Sequence, residues 1–270
     1  VMLSQASKHM DAYSLHYYTF PGRWENKGPS IGFTEDAWAS TLNHAVRMEE
    51  LVSKHSAIMD KHDPDKKVAL YVDEWGTWYD PEAGRNPGFL YQQNTLRDAL
   101  VASLTLDIFH RHADRVKMAN IAQMVNVLQA MILTQDEKML LTPTYHVFEM
   151  YKGFKDAAVV PVDISAPAYR HGEFEMPAVH ASAARAKDGR LHLALTNLDP
   201  DEPARLSLKI TGAQARLAGG TLLTAPAMNS INTFDKPDTV KPQPFKGARV
   251  NGERLQIELP AKSVVVLTLQ

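Results

Sequence analysis

Two adjacent carboxylates, Asp73 and Glu74, close the apolar run at residues 67–72 and are followed at once by Trp75, Gly76 and Trp78. A carboxylate among aromatic rings suits a sugar site: the carboxylate attacks or stabilises an anomeric carbon, and the rings cover the sugar's apolar face. Successive side chains of a strand point to opposite faces, so Asp73 and Glu74 are expected to lie in different environments, with Glu74 the one facing the site. The bland alternative is a solvated strand end leading into a loop.

Two other strand ends carry matching groups. The alternating segment 11–18 finishes on His16 and Tyr18, and the segment 116–123 carries Asn120 and Gln123. Taken singly, a histidine is more often a satisfied core or loop residue, and a lone amide is usually a surface group. Together they supply what a retaining glycosidase needs: a nucleophile in Glu74, a phenol in Tyr18 to hold it, amides for sugar hydroxyls and an aromatic wall in Trp78. A hydrogen bond from Tyr18 to the charged Glu74 would favour ionisation. In a (β/α)8 barrel such groups sit on the C-terminal ends of the strands.

The elements that must position these groups read as strand, helix, strand. After the first strand, a loop rich in Gly, Pro and aromatics runs to about Phe33. Thr34, Glu35 and Asp36 then make a capped acidic first turn. Leu42, Ala45, Val46, Met48, Leu51, Val52, Ile58 and Met59 continue at helical spacing to the stop at His62, Asp63 and Pro64. Residues 67–72 form the next strand. A second helix spans 92–111, with Leu96, Ala99, Leu100, Ser103, Leu104 and Ile108 on one face, and a third spans 142–151. From about Val159 the pattern turns to short alternating runs at 191–197, 204–210 and 263–269 between Pro, Gly and Asp turns, which reads as a β-sandwich. The expected organisation is an α/β unit over 1–158 and an all-β unit over 159–270.

Composition narrows the partners. The 270 residues hold 29 basic and 31 acidic side chains, a balance that favours neither nucleic acid nor an anionic membrane. No run approaches the ~20 apolar residues that span a bilayer. Without cysteine there are no disulfides, thiolate metal sites or cysteine nucleophiles, a composition compatible with a reducing, cytoplasmic setting. Neither an HExxH nor an EF-hand pattern occurs, so no metal and no cofactor is expected. The N-terminus lacks the basic and apolar regions of a signal peptide.

Five strings resemble family 51 α-L-arabinofuranosidases: Ser-Leu-His-Tyr-Tyr-Thr (14–19), Val-Asp-Glu-Trp-Gly-Thr-Trp-Tyr (72–79), Leu-Tyr-Gln-Gln-Asn-Thr-Leu-Arg-Asp-Ala-Leu (90–100), the segment 112–129 from His-Ala-Asp-Arg to Val-Leu-Gln, and Leu-Thr-Pro-Thr-Tyr-His-Val-Phe-Glu-Met-Tyr (141–151). The resemblance covers residues 11–155. It implies the C-terminal portion of a (β/α)8 TIM barrel, strands six to eight, followed by a jelly-roll β-sandwich. It further implies hydrolysis with retention, Glu74 as nucleophile, Tyr18 bonded to it, and His16, Trp78 and Gln123 in the sugar pocket. The loop carrying Trp24 resembles an insertion that shapes the outer subsites.

The family's general acid/base lies on strand four, which this sequence lacks. Glu49 and Glu50 are expected in mid-helix, and Asp80 and Glu82 in a loop, so none replaces it. Three strands cannot close a barrel, and their apolar edges would stay unpaired. A small open α/β layer is the alternative. The partners expected are therefore an arabinose-containing oligosaccharide, the N-terminal half as a separate polypeptide, and further copies in a homo-oligomer. Competing readings are a related retaining glycosidase acting on β-xylan or β-glucan, and an incomplete fragment with a structural or glycan-binding role. All four tryptophans, at 24, 38, 75 and 78, precede the sandwich, which weakens the last.

Overall fold

The computed structural model describes residues 1–212 and 216–270. A short helix α1 (Met2–Ala6) leads into β1 (Ala12–Thr19). Then come α2 (Glu35–Val46), α3 (Met48–Asp60), β2 (Ala69–Thr77), α4 (Leu96–Arg111) and β3 (Val116–Ile121). A hairpin of β4 (Ile132–Gln135) and β5 (Lys138–Leu141) and the helix α5 (Pro143–Met150) complete the first part. The strands β1, β2 and β3 form one parallel sheet in that order.

The single long helix expected from Thr34 is two helices. Thr34 holds the N-cap position but makes no side-chain cap bond. The run breaks at Arg47, whose N–H turns back to His44 O at 3.2 Å while the Tyr17 hydroxyl donates to the same carbonyl at 2.8 Å. Glu49 and Glu50 therefore stand in the first turn of α3, not in mid-helix. Beyond α3, the Asp63 carboxylate accepts from Lys67 N and Val68 N at 3.1 and 2.7 Å and from Arg115 Nη1 at 2.7 Å. That one side chain ties the residues before β2 to the residue before β3.

Helix α4 begins at Leu96, four residues later than the pattern suggested, because Thr95 and Asp98 close a capping box there. It is also buried nearly all round rather than on one face. One side packs on β2 and β3, and the other on the second part of the chain. The same contact explains β9 and β10 below, whose burial is nearly continuous where alternation was expected: their sheet is covered on both faces.

That second part starts with β6 (Ala158–Val160), the hairpin β7 (Ala168–His171) and β8 (Phe174–Pro177), then β9 (Val179–Arg185), β10 (Leu191–Asn197), β11 (Ala204–Lys209) and β12 (Leu217–Leu223). It ends with β13 (Gln243–Pro244), β14 (Ala248–Asn251), β15 (Arg254–Leu259) and β16 (Ser263–Leu269). An antiparallel six-stranded sheet runs β13-β12-β16-β10-β9-β6, and a three-stranded sheet runs β11-β15-β14. In β15, Leu255, Ile257 and Leu259 are buried and the residues between them exposed, so this smaller sheet is covered on one face only. Its inward residues join Leu193, Val265 and Leu267 in a core that extends without interruption to Trp38, Leu70, Val72 and Leu100 of the α/β part.

Where α4 meets the large sheet, the contact is polar at its centre. Asp107 is fully buried and accepts from the Tyr151 hydroxyl at 2.9 Å and Ser182 Oγ at 2.7 Å, while its Oδ2 has no partner among the described residues. Burial pushes the Asp107 carboxyl up to about 6, against the pull of the Ser182 and Tyr151 hydroxyls and of Arg111. Because the folded value lies above the ordinary one, folding favours the neutral acid. That stability is complete below about pH 3.8 and is lost as pH rises through about 6. Asp107→Asn, neutral at every pH, is expected to flatten this fall, read as a smaller difference between urea midpoints at about pH 4 and pH 7.

Candidate functional site

Glu74 stands at the C-terminal end of β2, and the backbone there departs from simple alternation. Against β1, Ser14 pairs with Tyr71 but His16 with Glu74; against β3, Val72 pairs with Ala119 but Trp75 with Ile121. Both neighbours thus register one extra residue in β2, a β-bulge between Val72 and Glu74. The bulge overturns the expectation that Asp73 and Glu74 face opposite ways. Both carboxylates reach His16, Asp73 Oδ1 at 3.2 Å from Nε2 and Glu74 Oε2 at 3.5 Å from Nδ1. Val72 and Trp75 on either side of the pair remain buried against the helices.

The Tyr18 hydroxyl donates to Glu74 Oε2 at 2.8 Å. Burial first, and then this carboxylate as hydrogen-bond acceptor and negative charge, push the phenol well above its usual range, so Tyr18 stays a donor. Oε2 is thereby engaged from two sides, by Tyr18 and by His16. Asp73 accepts from Ser14 Oγ at 2.6 Å, and this bond, opposed by desolvation, holds its carboxyl below the usual range. Trp78 sets its ring edge-on to Tyr18, with centroids 5.0 Å apart.

A buried polar layer fixes the strand end beneath. Thr77 N donates to Gln129 Oε1 at 2.8 Å, and Thr77 Oγ1 to Asp98 Oδ1 at 2.6 Å. Gly76 lies at φ +133°, and a Cβ there would come 3.0 Å from Gln129 Oε1, so the turn at the strand end requires glycine.

Of the residues expected in the site, the fold brings together Glu74, Tyr18, His16 and Trp78. Gln123 lies in the turn after β3; its backbone N–H bonds Val127 O at 3.1 Å, and its side chain has no hydrogen bond to that group among the described residues. Asn120 is exposed and, among the described residues, donates only to Met118 Sδ at 3.4 Å. Two amides do meet the end of β2: Gln92, whose Nε2 donates to Thr77 O at 3.2 Å, and Gln129, a polar side chain inside the apolar run at 127–130; neither was expected in the site. Asp80 is missed as well: Lys27 N and Gly28 N donate to its two carboxylate oxygens at 3.0 and 2.8 Å, fastening the loop that carries Trp24.

One face of the parallel sheet is sealed by helices. The other exposes Ser14, His16, Met118 and Asn120, and the Glu74 side chain is 45% accessible. Clefts of about 520 and 750 Å³ lie in the β-sandwich, lined by residues such as Arg205 and Leu206, and neither includes Glu74. The site in this chain is an open row of strand ends.

The family model of the alpha-L-arabinofuranosidase C-terminal domain matches residues 73–263, a span that opens on Asp73 and Glu74 and ends where β16 begins. The chain belongs to the alpha-L-arabinofuranosidase family. The crystal structure of the GH51 arabinofuranosidase from Xanthomonas axonopodis pv. citri matches it at 58% identity with a TM-score of 0.98, covering 100% of this chain and 55% of that one. The intracellular exo-alpha-L-arabinofuranosidase of Bacteroides ovatus is 48% identical over 271 residues, 100% of this chain and 53% of the relative. The intracellular exo-alpha-(1->5)-L-arabinofuranosidase of Bifidobacterium longum is 24% identical over 273 residues, 90% of this chain and 48% of the relative. The chain spans about half the length of the curated relatives it matches. As a member of the arabinofuranosidase family, it carries the Glu74 strand end and the sandwich behind it.

Proposed function

We propose that this chain is the nucleophile-bearing part of a retaining exo-α-L-arabinofuranosidase. Residues 1–158 would supply strands six to eight of a (β/α)8 barrel and residues 159–270 a jelly-roll sandwich. The observation that carries the reading is the Glu74 carboxylate at a strand end, held by the Tyr18 hydroxyl at 2.8 Å with Trp78 beside it. Anchoring of Oε2 leaves Oε1 to bond the anomeric carbon of a terminal arabinofuranosyl unit as the glycosidic bond breaks. A general acid from the preceding half protonates the departing oxygen. Water, deprotonated by the same group, then displaces Glu74 and restores the original configuration.

Support for that second half comes from the sheet. Among the described residues its edges β1 and β3 are unpaired and its Glu74 face is open, whereas parallel sheets are normally covered on both faces. Contact between copies over the same edges is the alternative to that half, so a homo-oligomer of the two-part enzyme would form through other surfaces. The relatives from Bacteroides ovatus and Bifidobacterium longum are named intracellular, and we read this chain likewise.

The test is hydrolysis of an aryl α-L-arabinofuranoside by this chain together with the segment that precedes it in its relatives, with the first-formed sugar followed by proton NMR. Release of α-arabinofuranose supports the proposal; β-product, or a preference for aryl β-xyloside, overturns it. In the same assay Tyr18→Phe is expected to lower kcat by roughly 10–100-fold, the worth of one hydrogen bond to a charged group.

A further inference from the structure

Strand β2 outlasts one of its two neighbours. Its pairing with β3 ends at Trp75, whose carbonyl accepts from Ala122 N at 2.9 Å, whereas β1 stays beside it to Thr77 and Thr19 O accepts from Trp78 N at 3.1 Å. Among the described residues, three backbone groups on the β3 side then have no strand beside them: Thr77 N–H, Thr77 C=O and Tyr79 N–H. Two glutamine side chains meet all three. Gln129 Oε1 accepts from Thr77 N at 2.8 Å, and the Gln92 amide spans the other two, its Nε2 donating to Thr77 O at 3.2 Å and its Oε1 accepting from Tyr79 N at 2.9 Å. Both side chains are fully buried. Pairing of buried backbone groups would account for an amide anywhere along this stretch, but the placement of Gln92 is more specific. It bonds both peptide planes that flank Trp78, while Thr19 O holds the first of them from the opposite side. Two fixed planes set φ and ψ of the residue between them, and so the direction in which its indole leaves the chain.

The segments that carry the two amides are themselves fixed. Leu90 and Leu128 hold left-handed backbone, φ +52° and +53°, which is uncommon outside glycine, and Leu128 N donates to Leu90 O at 2.8 Å. Gly76 leaves room for Gln129, whose Nε2 turns to Asp98 O at 2.7 Å and Thr144 Oγ1 at 3.1 Å. Trp78 in turn sets its ring edge-on to Tyr18, the donor to Glu74. We infer that Gln92, backed by Gln129, is a positioning residue that aims Trp78 at the pocket for the terminal arabinofuranosyl unit, an inference that rests on the proposed arabinofuranosidase reading. Neither amide touches a reacting atom. Each acts through the backbone of residues 77–79, so the wall of the pocket is set before substrate arrives and the cost of ordering it is not drawn from binding.

The experiment measures kcat and KM for an aryl α-L-arabinofuranoside with both halves of the enzyme present, beside fluorine NMR of the same protein labelled with fluorotryptophan, the Trp78 line being assigned by Trp78→Phe. Gln92→Met removes the amide at similar volume. It is expected to raise KM about five- to tenfold with kcat changed less than about twofold, the scale of one aromatic contact made alike to bound substrate and transition state. The Trp78 line should shift or broaden while those of the core residues Trp38 and Trp75 stay. Gln92→Glu, which keeps an acceptor for Tyr79 N and loses the donor to Thr77 O, should raise KM less than half as much, and it carries the test if Gln92→Met does not fold. In the Trp78→Ala background Gln92→Met should leave KM where it is, because it acts through that ring. An amide that only stabilises the fold gives another pattern: partial unfolding lowers kcat at constant KM and leaves the Trp78 line of the folded molecules in place. That pattern, or additive effects in the double variant, would overturn the inference while leaving arabinofuranosidase activity standing. Absence of arabinofuranoside hydrolysis by the unmodified enzyme would instead overturn the reading beneath it, and the Trp78 line would still report whether Gln92 aims the ring.

Discussion

Glu74→Ala in the two-part enzyme is expected to lower kcat for an aryl α-L-arabinofuranoside by on the order of 10⁵-fold or more, the scale reached when a covalent nucleophile is deleted. The loss belongs to the chemical step. Without the carboxylate no glycosyl-enzyme forms, and water from the same side lacks an activating base. Stability should barely move, within about 0.5 kcal/mol, because the side chain is nearly half exposed and fills no core space. Azide, small enough for the vacated volume, is expected to restore turnover by attacking the anomeric carbon directly. It would expel the aryl oxide and leave an arabinosyl azide of inverted configuration. Turnover near that of the unmodified enzyme would remove Glu74 from the mechanism, and rescue with a retained product would assign the nucleophile elsewhere.

The second large effect falls on stability. Asp98 is fully buried and accepts four bonds: Thr77 Oγ1 at 2.6 Å, the Tyr79 hydroxyl at 3.0 Å, and Thr95 N and Oγ1 at 2.6 and 3.0 Å. Asp98→Ala leaves these donors in a site too tight to hydrate freely and breaks the capping box of α4. The expected cost is roughly 3–5 kcal/mol, since each buried donor left unpaired carries its own desolvation penalty and the cap adds about 1 kcal/mol. Asp98→Asn keeps the shape and part of the acceptor capacity and should cost less than half as much. Urea denaturation measures both. A shift below about 1 kcal/mol for alanine would mean that the layer beneath β2 relaxes without it.

Much of this was legible in the residues. The strand carrying Asp73 and Glu74, which runs on to Thr77 instead of stopping at the two carboxylates, the strand ending on His16 and Tyr18, and the strands at β10 and β16 follow from period-two patterns between strong turn signals. What escaped depends on contacts far apart in sequence. The bulge at Asp73 is set by the register of both neighbouring strands and leaves no mark on β2 itself. The break at Arg47 requires Tyr17, which lies 27 residues before His44. Asp80 looked like a loop acid because its partners are backbone amides, and amides carry no sequence signature. Gln92 falls in the segment expected to open a helix, and Gln129 has no expected role, yet each meets β2: Gln92 Nε2 donates to Thr77 O at 3.2 Å, and Gln129 Oε1 accepts from Thr77 N. The near-continuous burial of the sandwich strands facing α4 is not legible in their alternating runs, because nothing local reveals that a helix from the other part covers them.

Helix α4 has a consequence for how the molecule comes apart. It belongs to the α/β part by connectivity and to the large antiparallel sheet by burial, so neither part owns a finished interior. Unfolding should accordingly be one cooperative event: a probe in β16 and a probe in β2 would report the same midpoint. Natural variation deep in the sandwich, tens of residues from any catalytic group, would then be felt as loss of the Glu74 strand end, and the β-rich part would not survive as a separable module.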